Sequence, residues 1–210
     1  MIIAFSGLDG SGKTTQSRFA EQYLRDRGYR CAYRHAIRGS LHYFILHNLV
    51  GRVSGRAKDS MEKGLRETGG AKAFFVSLVK KIFLFLDLVY FNLRYGRYKG
   101  QTKRNIICDR YFYDEIVQAD YLKIAGNAFN GMYRKLILEP DISFFLKVRP
   151  ESAFERKKEY NRSYFTQKGK VYETFAQRIK MNEVDEQDPE AAKKAVLSDL
   201  ERLYTARGTV

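Results

Sequence analysis

The sequence predicts an α/β protein built on a parallel sheet. Three observations carry this. Short apolar runs alternate with longer segments of helical period along most of the chain. The first run, Met1 to Phe5, leads directly into a glycine-rich turn and then a helix. That turn, Gly7-Leu8-Asp9-Gly10-Ser11-Gly12-Lys13-Thr14, fits the phosphate-binding pattern GxxxxGK[ST] at every fixed position. Strands that alternate with helices are joined by crossovers, which leave the strands parallel.

The elements follow in order. Met1 to Phe5 is β-prone and apolar, as a buried first strand is. From Thr15 the period becomes helical, with Phe19, Ala20, Tyr23 and Leu24 on one face, and Gly28 stands where a helix takes its C′ glycine. Arg30 to His35 is a short, weak second strand. Gly39 to Val53 is helical, with Leu41, Phe44, Ile45 and Leu49 on one side, and Gly51 to Gly70 is polar and looser. Ala71 to Tyr95 is very apolar, but Lys80, Lys81 and Asp87 interrupt it. It therefore reads as a long helix buried on most sides and not as a membrane span. Gly96 to Arg104 is a basic turn region.

Asn105 to Cys108 forms the next strand and ends in Asp109-Arg110-Tyr111. Helices follow over roughly Asp114 to Ile124 and Phe129 to Leu138, the second stopped by Pro140. Ile142 to Val148 is a buried strand, and Pro150 suits the first turn of the helix after it. Lys157 to Lys170 is polar, basic and aromatic, and reads as a mobile loop. Tyr172 to Asn182 is helical, a poorly apolar fifth strand falls near Ile179 to Val184, and Asp188-Pro189 caps a last helix reaching about Tyr204.

Composition bounds the function. A chain of 210 residues, 44% hydrophobic and 30% charged, is that of an ordinary globular protein and predicts one domain over 1–210. The net charge of +14 calls for anionic company: nucleotides, nucleic acid or an acidic membrane surface. The basic residues are dispersed, and no helix-turn-helix, zinc-finger or RNA-binding signature appears, so nucleotides rank before nucleic acid. Cys31 and Cys108 sit in or beside strands and read as small buried hydrophobes, which fits a reducing cytoplasm. His35, His42 and His47 lie in no ligand spacing with them. The loop motif begins within ten residues of Met1, so no signal peptide is expected ahead of it.

The loop carries the chemistry. Its glycines let the backbone curl so that successive N–H groups point at phosphate oxygens, and the helix behind adds its positive end. Gly7, Leu8, Asp9, Gly10, Ser11, Gly12, Lys13, Thr14 and Thr15 thus form the binding segment for ATP. In such loops the lysine reaches the β- and γ-phosphates, which is Lys13, and the hydroxyl after it holds Mg²⁺, which is Thr14.

Four features together resemble the thymidylate kinase family of nucleoside monophosphate kinases. They are the loop GLDGSGKTT with its acidic Asp9, the strand-plus-DRY segment IICDRY at 106–111, the stretch PDISFFLKVRPESAFERK at 140–157, and the basic segment after it, where that family has a lid. The resemblance implies a three-layer P-loop kinase fold, a central parallel sheet of four to five strands flanked by helices, with a lid at about 157–170. It implies ATP-dependent phosphoryl transfer to a nucleoside monophosphate, dTMP to dTDP first among them. In that reading Asp9 positions the acceptor phosphate, Asp109 supports Mg²⁺ and Arg110 binds the acceptor phosphate. Gly10 stands where some members place an arginine, so the catalytic cation falls to the lid, with Arg156 and Arg162 as candidates and Glu173 resembling a family glutamate. A homodimer through the long apolar stretch from Phe74 to Phe91 is implied by the resemblance alone.

The departures concern the acceptor. Leu88 stands where the family has a base-reading arginine, and Asp114 and Gln118 replace its serine and tyrosine after DRY. Asp114 reads as an acceptor for an amino, ring N–H or sugar hydroxyl group, with Asn92 or Arg94 as other base readers. The phosphate-binding REPGG stretch is absent, and Arg34 and Arg38 are its only candidate substitutes. Two alternatives therefore stay open: a P-loop kinase of another phosphorylated or hydroxylated acceptor, and an ATP-binding regulatory protein docking on an acidic partner.

Overall fold

The computed structural model describes residues 1–35, 71–122, 127–158 and 160–208. The helix expected over Gly39–Val53, the looser stretch Gly51–Gly70, Arg38, His42 and His47 fall outside them. The described elements are β1 (Ile2–Gly7), α1 (Lys13–Asp26), β2 (Arg30–Arg34), α2 (Ala71–Tyr95), a short 3₁₀ turn at Gly96–Tyr98, β3 (Arg104–Asp109), α3 (Phe112–Leu122), α4 (Asn127–Leu136), β4 (Ile142–Lys147), α5 (Pro150–Arg156), α6 (Arg162–Ile179), β5 (Asn182–Asp185) and α7 (Pro189–Ala206). The five strands form one parallel sheet in the order β2-β3-β1-β4-β5.

The alternation of the inner strands builds two cores. Ile2, Ala4, Ile106, Cys108 and Phe145 point to one face, where α2, α3 and α6 supply Leu88, Ile116, Phe165 and Tyr172. Ile3, Phe5, Ile107, Phe144 and Leu146 point to the other, against Ala20 and Leu24 of α1 and Val196 and Leu200 of α7. Every residue of β1 is buried, as a central parallel strand covered on both faces must be. The result is the three-layer α/β architecture that the sequence predicts.

Local signals set several ends. Gly28 has φ +80, its N–H bonds Arg25 O and the Tyr29 N–H bonds Leu24 O, which is the paired closure of a Schellman stop. The Asp188 side chain accepts from the Glu190 and Ala191 N–H groups and, with Pro189, starts α7.

Three expectations need correction. Residues 162–170 are not a loop. They are the first half of α6, capped by the Asn161 side chain on the Tyr164 N–H at 2.8 Å. Gly169 and the polar composition mask a helical stripe of Tyr164, Phe165, Lys168 and Tyr172, all buried. The helix then ends at Ile179 and not at Asn182, because Lys180 turns left-handed at φ 56, and the fifth strand starts only at Asn182. Finally, α2 is not buried on most sides. Leu84, Asp87, Leu88 and Phe91 face the core, while Leu78, Ile82, Phe85, Leu86, Val89, Tyr90 and Leu93 are exposed. A helix laid on a sheet covers only one stripe of its surface, and this one is apolar nearly all round.

Candidate active site

The phosphate loop leaves the central strand β1 and enters α1, and Asp109 closes the neighbouring β3, where it stands in register with Phe5. The site therefore lies at the carboxyl ends of the strands, where open α/β sheets bind ligands. Two glycines are required by the geometry. A Cβ on Gly7, at φ +151, would sit 2.6 Å from Leu146 O, and one on Gly12, at φ +76, would sit 2.0 Å from Glu186 Oε1.

Lys13 is 5% exposed and donates to the carbonyls of Gly7 (2.8 Å) and Leu8 (2.5 Å) and to Ser11 Oγ (3.3 Å). Its ammonium is thus folded over the loop that would cradle a phosphate chain. Burial lowers its pKa to about 8; the Arg110 charge adds to the fall, and Asp9, Asp114 and Asp109 oppose it.

Thr14 Oγ1 and Tyr33 Oη both donate to Asp109 Oδ2 at 2.7 Å. A hydroxyl and a carboxylate in contact at the loop are hard oxygen donors, of the kind Mg²⁺ takes alongside water and phosphate oxygens. Tyr33 was not among the residues singled out from the sequence. Its ring lies under Arg18 at 3.5 Å, and burial pushes its hydroxyl pKa up to about 12, so it remains a donor.

Asp9 pairs with the Arg110 guanidinium and accepts from Tyr164 Oη at 2.9 Å. Burial pushes its carboxyl pKa up, but the charges of Arg110, Lys168 and Lys13 overcome this and hold it well below the usual carboxylate range. Arg110 has a left-handed backbone, φ 71, uncommon for a residue with a Cβ. Its own N–H bonds Phe5 O, and the next N–H, Tyr111, bonds Asp114 Oδ2 at 2.9 Å. Burial lowers the Arg110 pKa, but Asp9 and Asp114 outweigh it, and the shift is upward.

Asp114 is not a base reader. It is 3% exposed and already accepts from Ser6 Oγ (2.8 Å), Tyr172 Oη (2.7 Å) and the Tyr111 N–H. Leu88 is fully buried in the core, and Asn92 donates to Leu136 O. Arg34 lies outside the loop region and donates to Tyr95 Oη.

The lid candidates separate. Arg156 donates to Gly10 O at 3.1 Å, directly on the phosphate loop. Arg162 is exposed and lies 5.3 Å from the Phe154 ring, with no hydrogen bond to the loop. Glu173 faces Lys147 at 4.0 Å. What α6 brings to Asp9 instead is Tyr164 and Lys168. Read as a helix, the stretch Tyr164, Lys168, Tyr172 would have exposed that face from spacing alone. A cleft of about 660 Å³ opens near Asp141, Lys180 and Asn182, at the amino ends of β4 and β5 and so away from the loop. Two of the basic groups lining it, Arg134 and Arg178, stand in the last turns of α4 and α6 and complement the helix ends.

Comparison with known proteins agrees with this reading of the sequence. No protein-family model matches the chain. The probable thymidylate kinase of Methanocaldococcus jannaschii is 29% identical over 160 residues, covering 75% of this chain and 70% of its own. That of Archaeoglobus fulgidus is 26% identical over 157 residues, 74% of this chain and 68% of its own. Among solved structures, a thymidylate kinase from Ehrlichia chaffeensis superposes with a TM-score of 0.60 at 19% identity, over 97% of this chain and 98% of the other. A deoxyadenosine kinase from M. mycoides superposes with a TM-score of 0.55 at 19% identity, over 98% and 100%. The chain is thymidylate kinase-like in sequence, and its fold is that of P-loop kinases.

Proposed function

We propose that this chain is a nucleoside monophosphate kinase that transfers the γ-phosphoryl group of ATP, with dTMP as the first acceptor. The observation that carries the reading is the pairing of Asp9 with Arg110 beside Lys13. Asp9 pairs with Arg110 and also feels the charge of Lys13, which supports Arg110 as the acceptor-side cation and Lys13 as the ATP-side cation of one loop carboxylate. Relatives named thymidylate kinase over three quarters of the chain support dTMP.

Phosphoryl transfer asks little covalent chemistry of the protein; positioning and neutralisation of spreading charge do most of the work. The loop N–H groups of Gly10, Gly12, Lys13 and Thr14 would meet the phosphates, the Ser11 N–H being held by Leu8 O, and Lys13 would reach the β- and γ-oxygens. Thr14 and Asp109 would hold Mg²⁺, which supplies charge neutralisation between the phosphates. Arg110 and Asp9 place the acceptor phosphate in line. Arg156, already on Gly10, closes over the transferring group from the lid side, ahead of Arg162. The whole chain acts as one unit in the cytoplasm. The exposed stripe of α2 pairs with its copy in a homodimer, since an apolar surface of that length is costly to leave in water.

Leu88 in the core and the saturated Asp114 favour a second reading at the base end only: a kinase acting on a differently substituted acceptor. ADP release measured against dTMP, dUMP, CMP and the parent nucleosides decides between them. Release that requires dTMP supports the first reading. Release with another acceptor supports the second, and none with any acceptor overturns both.

A further inference from the structure

The lid arginines are exposed, yet α6 delivers a different cation to the site. Lys168 is 5% exposed, its Nζ donates to Tyr164 Oη at 2.7 Å, and it stands 3.9 Å from Asp9 Oδ2. Tyr164 spends its hydroxyl hydrogen on Asp9, so its oxygen lone pair is what receives the lysine. The chain of donors therefore runs Lys168 to Tyr164 to Asp9, and ends on the carboxylate that Arg110 also pairs with.

A buried ammonium is expensive unless charge and hydrogen bonds surround it. A lysine with only a structural task on a helix ordinarily snorkels to water. This one is held inward by its helix, one turn from Tyr164 and one turn from Tyr172, whose hydroxyls reach Asp9 and Asp114. Its 3.9 Å approach to Asp9 is a charge contact without a direct hydrogen bond.

We propose that Lys168 is an acceptor-phosphate ligand: on substrate binding its ammonium contacts the monophosphate oxygens from the α6 side while Arg110 contacts them from the β3 side. Asp9 lies in charge contact with both cations, and Tyr164 keeps the lysine aimed. The ligand class is a phosphomonoester dianion, whichever base it carries. The assignment rests on the kinase reading, but its test does not depend on turnover.

The test is calorimetric binding of dTMP, in the presence of a non-hydrolysable ATP analogue, to wild type, Lys168→Met and Lys168→Arg. Binding of the ATP analogue alone and the thermal midpoint are measured on each. Methionine keeps the length and removes the charge. Loss of a charge-assisted contact predicts dTMP binding weakened roughly 10- to 100-fold in Lys168→Met. Lys168→Arg recovers part of it, and analogue affinity stays within about twofold in both. Should Lys168→Met misfold, Lys168→Arg and Tyr164→Phe carry the test, the latter expected to weaken dTMP binding a few-fold by releasing the lysine. dTMP affinity unchanged in a folded Lys168→Met overturns the assignment, as does an equal loss of analogue and dTMP affinity. Wild type that binds dTMP normally but releases no ADP removes the kinase reading and leaves the Lys168 comparison intact. Wild type that binds no phosphomonoester removes both.

Discussion

Ser6 and Asp114 stand 108 positions apart in sequence and 2.8 Å apart in the fold. Asp114 also takes the Tyr172 hydroxyl and the Tyr111 N–H, so one buried carboxylate ties the root of the phosphate loop, the turn that presents Arg110, and helix α6. As the third residue of α3 it also accepts the N–H of the residue before that helix, the acidic half of a capping box. Asp114→Ala leaves two hydroxyls and two N–H groups, those of Tyr111 and Gly7, without their partner. We expect a loss of about 3 kcal/mol in stability, read by urea denaturation, and a fall in turnover as Arg110 loosens. Asp114→Asn keeps some acceptors and loses less. A stability change below about 0.5 kcal/mol in Asp114→Ala contradicts the hub.

Lys13→Ala is expected to abolish ATP turnover by at least about a hundredfold while the fold survives, since its contacts are to the loop's own carbonyls. The pH dependence of ATP binding follows from its lowered pKa. Protonated Lys13 binds phosphate oxygens and neutral Lys13 does not. With a pKa of about 8 in the free protein, the charge is present at pH 7 and mostly gone at pH 9. ATP affinity therefore falls roughly tenfold over that interval, and the same scan on Lys13→Met is flat. Titration of a fluorescent ATP analogue reads it; a flat wild-type profile counts against Lys13 as the phosphate cation.

Arg156 and Arg162 should separate in kinetics. Arg156→Ala is expected to lower kcat about 10- to 100-fold with little change in nucleotide binding, the mark of a contact made mainly in the transition state. Arg162→Ala is expected to change kcat less than about threefold. Steady-state rates of both and of the double variant settle it, and the reverse ranking would return the role to Arg162.

The exposed stripe of α2 predicts self-association. Light scattering should give twice the chain mass of 24.5 kDa. Leu86→Glu with Tyr90→Lys places charges in the middle of the stripe and should return the monomer with an unchanged thermal midpoint, because neither side chain is in the core. A wild-type monomer at high concentration overturns the pairing.

The strands and the loop were legible because their signals are local. GxxxxGK[ST] fixes Gly7, Gly12, Lys13 and Thr14 by spacing, and short apolar runs with the alternation of strands and helices place four strands within two residues of their ends. Asp9 and Arg110 followed from family resemblance, and the fold puts them in contact. What escaped depends on contacts distant in sequence. Tyr33 reaches Asp109 across 76 positions, and Tyr164 reaches Asp9 across 155. Asp114 read as a substrate contact because it stands where the resembled family has a serine after DRY, and its hydroxyl partners Ser6 and Tyr172 are distant in sequence. Lys168 was hidden inside a segment whose charge and glycine mimic a loop. The exposed side of α2 could not be told from its buried side, because both are apolar.

The sheet order has a consequence for how this chain is made. β1 occupies the centre, pairing with β3 from Ile2 to Ile106 and with β4 from Ile3 to Ile142. The most buried strand is synthesised first and gains its flanking strands only after β2 and α2 have been made. At about 5 to 20 residues per second, β3 is available to one edge first, and the other edge waits on the order of ten seconds until β4 leaves the ribosome. Such long-range parallel pairing is also slow to form once the chain is complete. A nascent chain released before residue 147 lacks one edge of that pairing, which makes truncated products prone to strand-edge aggregation and a natural clientele for chaperones.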